Sequence, residues 1–428
     1  VLTLSPRQAL QGRVQVPGDK SISHRAVMMG ALGQGVTRVH GFLQSADTLH
    51  TMELFRQLGR QLDLNEDGIL RIEGKGKYLQ EPAQLLDVGN SGTTMRLMLG
   101  ILAGQPFHAV LAGDSSLNHR PMKRVAEPLR QMGAQIDGRQ GGEYPPLAIR
   151  GGSLRGIHYR SPVASAQVKS ALLLAGLFTD GDVVVEEPQQ SRDHTERIFQ
   201  ELGIPLEILP QGVRLPAGDY QWEGAELFVP GDFSSAAFLL AAGLLLPGSH
   251  LIVENVGCNP TRTGLLDVAL AMGGKIRYEI DQAAEPAAQM EVRFSSLHGV
   301  EVGGAIIPRL IDELPILAVM ATQAEGWTVV RDAQELRVKE SDRIAVMAQE
   351  LRKMGVTIEE LPDGFIIEGP QQLHGAALDS HGDHRIGMAL MVAAALADSP
   401  STMAGASALQ ISYPLFYEIM MKHTKPTV

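Results

Sequence analysis

The sequence predicts an α/β fold in two domains, each built from three related units. Two repeating markers and the length of the chain predict it. The first marker is a helix start, in which polar or breaker residues introduce a run of small apolar residues. It falls at Gly18, Gly89, Ser161, Gly231, Ile311 and Gly382, with gaps of 71, 72, 70, 80 and 71 residues. The second is an amphipathic helix stopped by glycine, at Gly59, Gly133, Gly203, Gly273 and Gly355, with gaps of 74, 70, 70 and 82. Two independent markers on one beat argue for an internal repeat. At 428 residues the chain exceeds one ordinary core, so six units divide into two domains of three.

Each unit then has its own signals. The first opens in 16–32, V-P-G-D-K-S-I-S-H-R-A-V-M-M-G-A-L, where Pro17-Gly18 is a breaker pair and an apolar helix follows. Short β-like runs lie between the helices, as at Val183-Val184-Val185, Leu251-Ile252-Val253 and Trp327-Thr328-Val329-Val330. Helices alternating with strands make the class α/β. Both series lengthen between the fourth and fifth units. The extra residues are 281–290, D-Q-A-A-E-P-A-A-Q-M, which read as loop. The dividing point is expected near Pro230-Gly231, giving domains of 18–230 and 231–428.

Composition excludes several function classes. Hydrophobic residues make up 44% and charged residues 20%, a soluble globular balance. A formal net charge of −11 would repel phosphodiester chains, so no nucleic-acid partner is expected. The single cysteine, Cys258, excludes an intrachain disulfide and a thiolate metal cluster, and suits a reducing cytoplasm. The longest apolar runs, 236–246 and 388–397, are too short to span a bilayer, and no signal peptide is expected.

Chemistry collects at the helix starts. The first unit has Lys20, Ser21 and Arg25, and the second Asn90, Ser91, Gly92, Thr93 and Arg96, with N-H-R-P-M-K-R following at 118–124. The third offers Ser165 and Gln167, then S-R-D-H-T-E-R at 191–197. The fourth is nearly bare. The fifth has Asp312 and Glu313, then R-V-K-E-S-D-R at 337–343, and the sixth has His384-Arg385. Helix N-termini expose unpaired N–H groups and positive dipole charge, which favour anions. If like ends of the units face one another, these residues converge in a cleft between domains. Many cations with a few carboxylates there suit a small polyanionic substrate and acid/base work, not a metal.

Taken singly, the signals are plain. Lys20 to Arg25 is also what a capped helix with a solvated face looks like. G-N-S-G lacks the following Lys-Ser/Thr of a P-loop. His119 and His194 have no close His or Cys partner for zinc, and His384 fits a structural role. Cys258 reads as a small buried residue, and 339–343 as a charged helix start. The constellation carries the argument.

Together, P-G-D-K-S-I-S-H-R, G-N-S-G-T-T-M-R, N-H-R-P-M, V-A-S-A-Q-V-K-S-A-L-L-L-A-G, R-V-K-E-S-D-R and G-D-H-R resemble the 5-enolpyruvylshikimate-3-phosphate synthase family, in order and over almost the whole chain. The resemblance implies two domains of three βαβαββ units, the enolpyruvyl transferase fold or inside-out α/β barrel, with residues 1–17 joined to 231–428. It implies transfer of the enolpyruvyl group of phosphoenolpyruvate to the 5-hydroxyl of shikimate-3-phosphate, with loss of phosphate through a tetrahedral intermediate. Lys20, Gly92, Arg120, Gln167, Arg343 and Arg385 would hold phosphoenolpyruvate. Lys20, Ser21, Arg25, Ser165, Gln167, Ser191, Asp312 and Lys339 would hold shikimate-3-phosphate. Asp312 and Glu340 would move protons, with Lys20 as a general acid. No cofactor or metal is implied, and the chain would act as a cytoplasmic monomer.

Three positions depart from the family pattern. Ala166 stands where many members have a second serine, so Ser165-Ala166-Gln167 resembles the second, often glyphosate-tolerant class. His194 replaces an aromatic or basic residue. The segment 411–414, I-S-Y-P, lacks a lysine that many members carry. Two other readings remain in view. The sister enzyme acting on UDP-N-acetylglucosamine commonly uses a cysteine on a second-unit loop, and 113–120 has none. A non-catalytic anion-binding protein would have no use for Asp312 and Glu340.

Overall fold

The structure, a computed structural model, describes residues 1–426. The chain divides into two compact units, one of Val1–Pro17 with Pro230–Val428 and the other Gly18–Val229. Each has its own hydrophobic core.

In the Gly18–Val229 unit three helices form the interior, Lys20–Leu32, Gly92–Ala103 and Ala166–Gly176. Nearly all their residues are buried, polar ones included, which suits a helix packed all round and not an amphipathic surface helix. Gly100 marks the closest approach. A Cβ there would lie 2.2 Å from the carbonyl oxygen of Ala171, so the two helix backbones touch because glycine has no side chain. The other unit repeats the arrangement with Phe233–Leu245, Leu314–Gln323 and His384–Leu396, and every residue of Phe233–Leu245 is buried. Trimming one such buried leucine to alanine costs about 2–5 kcal/mol.

The outer helices include Ala46–Gln57, Lys123–Met132, His194–Glu201, Gly264–Ala271 and Arg343–Lys353. Each runs into one of the five marker glycines, Gly59, Gly133, Gly203, Gly273 and Gly355, and all five have φ between 74° and 113°. That left-handed conformation turns the chain back towards a strand.

The strands form small mixed sheets, one per unit of the repeat. In the first, Glu226–Phe228 lies parallel to Gln34–His40, which pairs antiparallel with Leu70–Lys75, and that with Gln61–Leu64. The same order recurs in Leu86–Asp87, His108–Ala112, Tyr144–Arg150 and Gln135–Gly138, and in Ile157–Arg160, Val183–Glu186, Gly212–Leu215 and Glu207–Leu209. Across the described residues these are separate sheets, and no barrel closes.

Two strands are exchanged. Gln11–Gln15 precedes the first unit in sequence but lies parallel to His250–Gly257, in the sheet of the fourth. Glu226–Phe228 precedes the fourth unit but completes the sheet of the first. Leu2–Leu4 pairs antiparallel with Ser401–Ala404 in the sixth. The 281–290 segment corrects the loop reading. From Ala287 onwards it is strand, Ala287–Arg293, paired with both His250–Gly257 and Lys275–Ile280. Its alanines lack the β-branched signal, and burial against the sheet overrides propensity.

Candidate active site

Short polar side chains cap most of the inner helices. Asp19 accepts from the N–H of Ile22 at 2.9 Å, Ser91 from Thr94, Ser165 from Val168, Asp232 from Ser234 at 2.8 Å, and Asp383 from Arg385 at 2.9 Å. Such caps contribute about 1 kcal/mol each. They also fix where the following side chains emerge.

In the Gly18–Val229 unit, Lys20 opens its helix and its Nζ lies 3.0 Å from Asp47 Oδ2. Arg25, one turn on, is buried. Its Nε donates to Thr195 Oγ1 and its Nη2 to Ser170 Oγ, both at 2.7 Å, and its Nη1 to the carbonyl of Ser21 at 2.9 Å. Gly92, Arg120 and Gln167 come together. Arg120 Nη2 donates to Asn90 Oδ1 at 2.7 Å. Gln167 accepts from Arg96 and donates to Thr93 Oγ1 at 3.1 Å. A Cβ on Gly92 would stand 3.0 Å from Arg96 Nη1 and 3.5 Å from Arg120 Nη1, so this glycine lies beside two guanidinium groups. Ser191 donates to Glu187 Oε1 at 2.5 Å, and the N–H of Ser165 reaches the same oxygen at 3.1 Å.

In the other unit Arg343 is the centre. Its side chain is 1% exposed. Nε donates to Asp383 Oδ2 at 2.8 Å, Nη1 to Asp312 Oδ1 at 3.1 Å and Nη2 to Glu340 Oε2 at 2.6 Å. Burial by itself would lower the Arg343 pKa, but Asp383, Glu340 and Asp312 outweigh it and raise the pKa above the ordinary arginine value. Arg385 continues the network, with Nη2 3.5 Å from Asp312 Oδ2 and Nη1 3.7 Å from Glu313 Oε1. Glu313 is fully buried and accepts from Ser234, while Arg262 Nη2 lies 3.0 Å from Asp232 and 2.6 Å from Ser234 Oγ. Lys339 follows the 3-10 turn Gln334–Val338 and is half-buried. The fourth unit, nearly bare in sequence, therefore supplies Asp232 and Ser234 to this network.

Several residues of these networks were not legible in the sequence: Asp47, Glu187, Asp232, Ser234, Arg262 and Asp383. One signal could have found two of them. Gly-Asp recurs at helix starts as Gly18-Asp19, Gly231-Asp232 and Gly382-Asp383, and a capping carboxylate at that place can also hold an arginine. Among the described residues no cluster of three or more His, Cys, Asp or Glu side chains is arranged to hold a metal ion. Among the described residues no helix is long and apolar enough to cross a membrane.

A family model described as EPSP synthase (3-phosphoshikimate 1-carboxyvinyltransferase) matches residues 4–420. The chain belongs to the EPSP synthase family. It is 53% identical over 426 residues to the 3-phosphoshikimate 1-carboxyvinyltransferase of Brevibacillus brevis, covering 99% of both chains. It is 53% identical over 422 residues to that of Bacillus subtilis, covering 98% of both. A solved EPSP synthase from Acinetobacter baumannii superposes with a TM-score of 0.88 at 41% identity, over 98% of this chain and 97% of that one. The enolpyruvyl transferase NikO of Streptomyces tendae, at 18% identity and a TM-score of 0.79 over 100% and 99% of the two chains, shares the fold. As an EPSP synthase, the chain transfers the enolpyruvyl group of phosphoenolpyruvate to the 5-hydroxyl of shikimate-3-phosphate and releases phosphate, a step of the shikimate pathway.

Proposed function

We propose that Asp312 and Glu340 carry the proton transfers of this reaction, with Lys20 as a further general acid. In the addition step the 5-oxygen bonds to C2 of phosphoenolpyruvate, the hydroxyl proton leaves to a base, and C3 gains a proton to become a methyl group. In the elimination step C3 loses a proton and the C2–O bond to phosphate breaks. Two carboxyl groups with different surroundings suit these opposite tasks. The observation that carries the reading is the shared guanidinium of Arg343, bonded to Asp312 and Glu340 at once.

Binding roles follow from chemistry. Gly92, Arg120, Gln167, Arg343 and Arg385 are assigned to phosphoenolpyruvate, with Lys20. Arginines suit its phosphate and carboxylate because they bind such groups bidentately. Ser21, Arg25, Ser165, Gln167, Ser191, Asp312 and Lys339, again with Lys20, are assigned to shikimate-3-phosphate. Its phosphate fits the N-terminus of the Ala166–Gly176 helix, where N–H groups and the Ser165 hydroxyl can meet an anion.

The Ser165-Ala166-Gln167 pattern supports the second, often glyphosate-tolerant class, and an inhibition constant for glyphosate tests that. The reading also has the enzyme working as a cytoplasmic monomer, which sedimentation of the purified chain and fractionation of cells check. Rapid-quench analysis of Asp312→Asn and Glu340→Gln tests the proton roles. One variant should stall before the tetrahedral intermediate and the other should accumulate it. Full turnover in both would overturn the assignment.

A further inference from the structure

We infer that Glu187, held by buried Lys169, is a positioning residue that fixes the backbone at Ser165 and Ser191 for the phosphate of shikimate-3-phosphate, the Ser191 hydroxyl turning its one proton from Glu187 to the phosphate on binding. The inference rests on the assignment of those two serines above. It begins with charges that a hydrophobic interior should not contain. The side chains of Lys169 and Glu187 are each 3% exposed, and Glu196 is 6% exposed. Lys169 Nζ lies 2.8 Å from Glu187 Oε2 and 2.8 Å from Glu196 Oε1. Buried ion pairs contribute little net stability against a well-packed apolar core, so their presence asks for another reason.

The two oxygens of Glu187 have divided work. Oε1 accepts from the Ser191 hydroxyl at 2.5 Å and from the Ser165 N–H at 3.1 Å. Oε2 accepts from Lys169 at 2.8 Å, and more distantly from the Ser191 N–H at 3.4 Å. One carboxylate thus ties the start of the Ala166–Gly176 helix to the loop that carries Ser191. The Ala166–Gly176 helix and the His194–Glu201 helix that follows this loop hold Arg25 by residues adjacent to Lys169 and Glu196. Ser170 follows Lys169, Thr195 precedes Glu196, and the Ser170 and Thr195 hydroxyls are 2.7 Å apart and each accepts from Arg25. The Lys169–Glu196 contact therefore keeps in register the pair of hydroxyls that orients Arg25. Three groups assigned to one substrate hang on this buried set.

Charge balance gives the arrangement a direction. A bare carboxylate next to a phosphate dianion would repel it, and Lys169 cancels that repulsion at its source. Burial pushes the Glu196 carboxyl above its ordinary pKa, which limits the negative excess that the single ammonium must balance. An amide cannot replace Glu187. A carboxylate accepts at both ends, whereas glutamine accepts at one and donates at the other. In Glu187→Gln the amide nitrogen must face either Lys169 or the two serine donors.

The test is the affinity for shikimate-3-phosphate against that for shikimate, measured by calorimetry on the full chain. The ratio isolates the phosphate end. Glu187→Gln should weaken shikimate-3-phosphate at least tenfold and shikimate less than threefold. The KM for phosphoenolpyruvate should stay within threefold at saturating shikimate-3-phosphate. Lys169→Met should lose more, because it strands the Glu187 charge. The double variant Lys169→Met/Glu187→Gln should recover part of that loss, a rescue that a merely structural role would not produce. The double variant carries the same test if Lys169→Met does not fold. An unchanged ratio in Glu187→Gln, with a lowered ratio in Ser165→Ala and Ser191→Ala, would overturn the inference alone. An unchanged ratio in the serine variants as well would overturn the serine assignment and the inference with it.

Discussion

Asp312 and Glu340 bind the two terminal nitrogens of one guanidinium, Nη1 and Nη2 of Arg343, at 3.1 and 2.6 Å. A proton taken by either carboxylate is felt by the other through that shared cation. Glu340→Gln keeps the shape and removes the proton transfer. Turnover should fall about 10²-fold or more, the usual scale for a general acid or base. Shikimate-3-phosphate affinity should stay within about threefold, because Glu340 is assigned to chemistry and not to that substrate. Steady-state kinetics with a binding titration reads both, and near-normal turnover removes Glu340 from the mechanism.

Arg343→Met should be felt before any substrate binds. Asp383 is fully buried and would lose its partner at 2.8 Å while still capping the His384–Leu396 helix. Stranding a buried charge costs about 3–5 kcal/mol. For a unit of this size that lowers Tm by roughly 10 °C. Arg343→Lys keeps the charge but cannot reach three carboxylates from one planar fork, so its Tm should fall between the two. Calorimetric unfolding of the free enzyme checks the order, and equal Tm values would show that Arg343 is not the keystone of this cluster.

The repeat was legible because it is written locally. Helix starts and glycine stops are neighbours in sequence, and the positive φ of Gly59, Gly133, Gly203, Gly273 and Gly355 explains why those glycines kept the beat. The site was legible as types of residue at helix starts, but not as pairs. Sequence reading set Arg343 beside the substrate and Asp312 beside the chemistry. It had no means of finding them 3.1 Å apart, since 31 residues separate them. Asp383 and Asp232 each cap a helix, and beyond the recurring Gly-Asp pair nothing local tells a cap that also grips an arginine from one that does not. The placement of Gln11–Gln15 came only from the resemblance, which joins 1–17 to 231–428, and the exchange of Glu226–Phe228 was not read from local pattern at all. A short strand shows its face pattern, not its neighbour.

Gly92→Ala should separate folding from binding. Alanine is the better helix former by about 1 kcal/mol, so Tm should hold or rise. The added methyl would meet Arg96 Nη1 at 3.0 Å, a flexible side-chain end that can give way by a few tenths of an ångström. The space beside Arg96 and Arg120 would shrink. Glyphosate, longer than phosphoenolpyruvate, should lose more affinity than the substrate. Inhibition constants against KM for phosphoenolpyruvate measure this, and equal losses would show that Gly92 does not line the discriminating edge.

His24 should set part of the acid limit of stability. It is fully buried, and its Nδ1 lies 2.8 Å from Thr51 Oγ1. Thr51 Oγ1 is 2.7 Å from Thr94 Oγ1, and Thr94 donates to the capping hydroxyl of Ser91 at 2.7 Å. This chain joins the start of the Lys20–Leu32 helix to that of Gly92–Ala103. Burial lowers the His24 pKa to about 3; Asp47 opposes the shift, and Lys20 and Arg25 add to it. The unfolded chain takes up this proton near the ordinary value of about 6.5. Below that pH the unfolded state binds more protons than the folded one, so stability falls as pH falls. The full contribution is present above about 6.5 and is lost progressively towards 3. With up to about 1.4 kcal/mol lost per pH unit, His24 alone removes several kcal/mol across the window. His24→Asn keeps a polar atom near Nδ1 and cannot titrate there. It should be less stable at pH 7, where it leaves a cavity, yet decline more slowly between pH 6.5 and 4. Denaturant unfolding at a series of pH values compares the slopes, and parallel lines for the two proteins would clear His24 of the acid sensitivity.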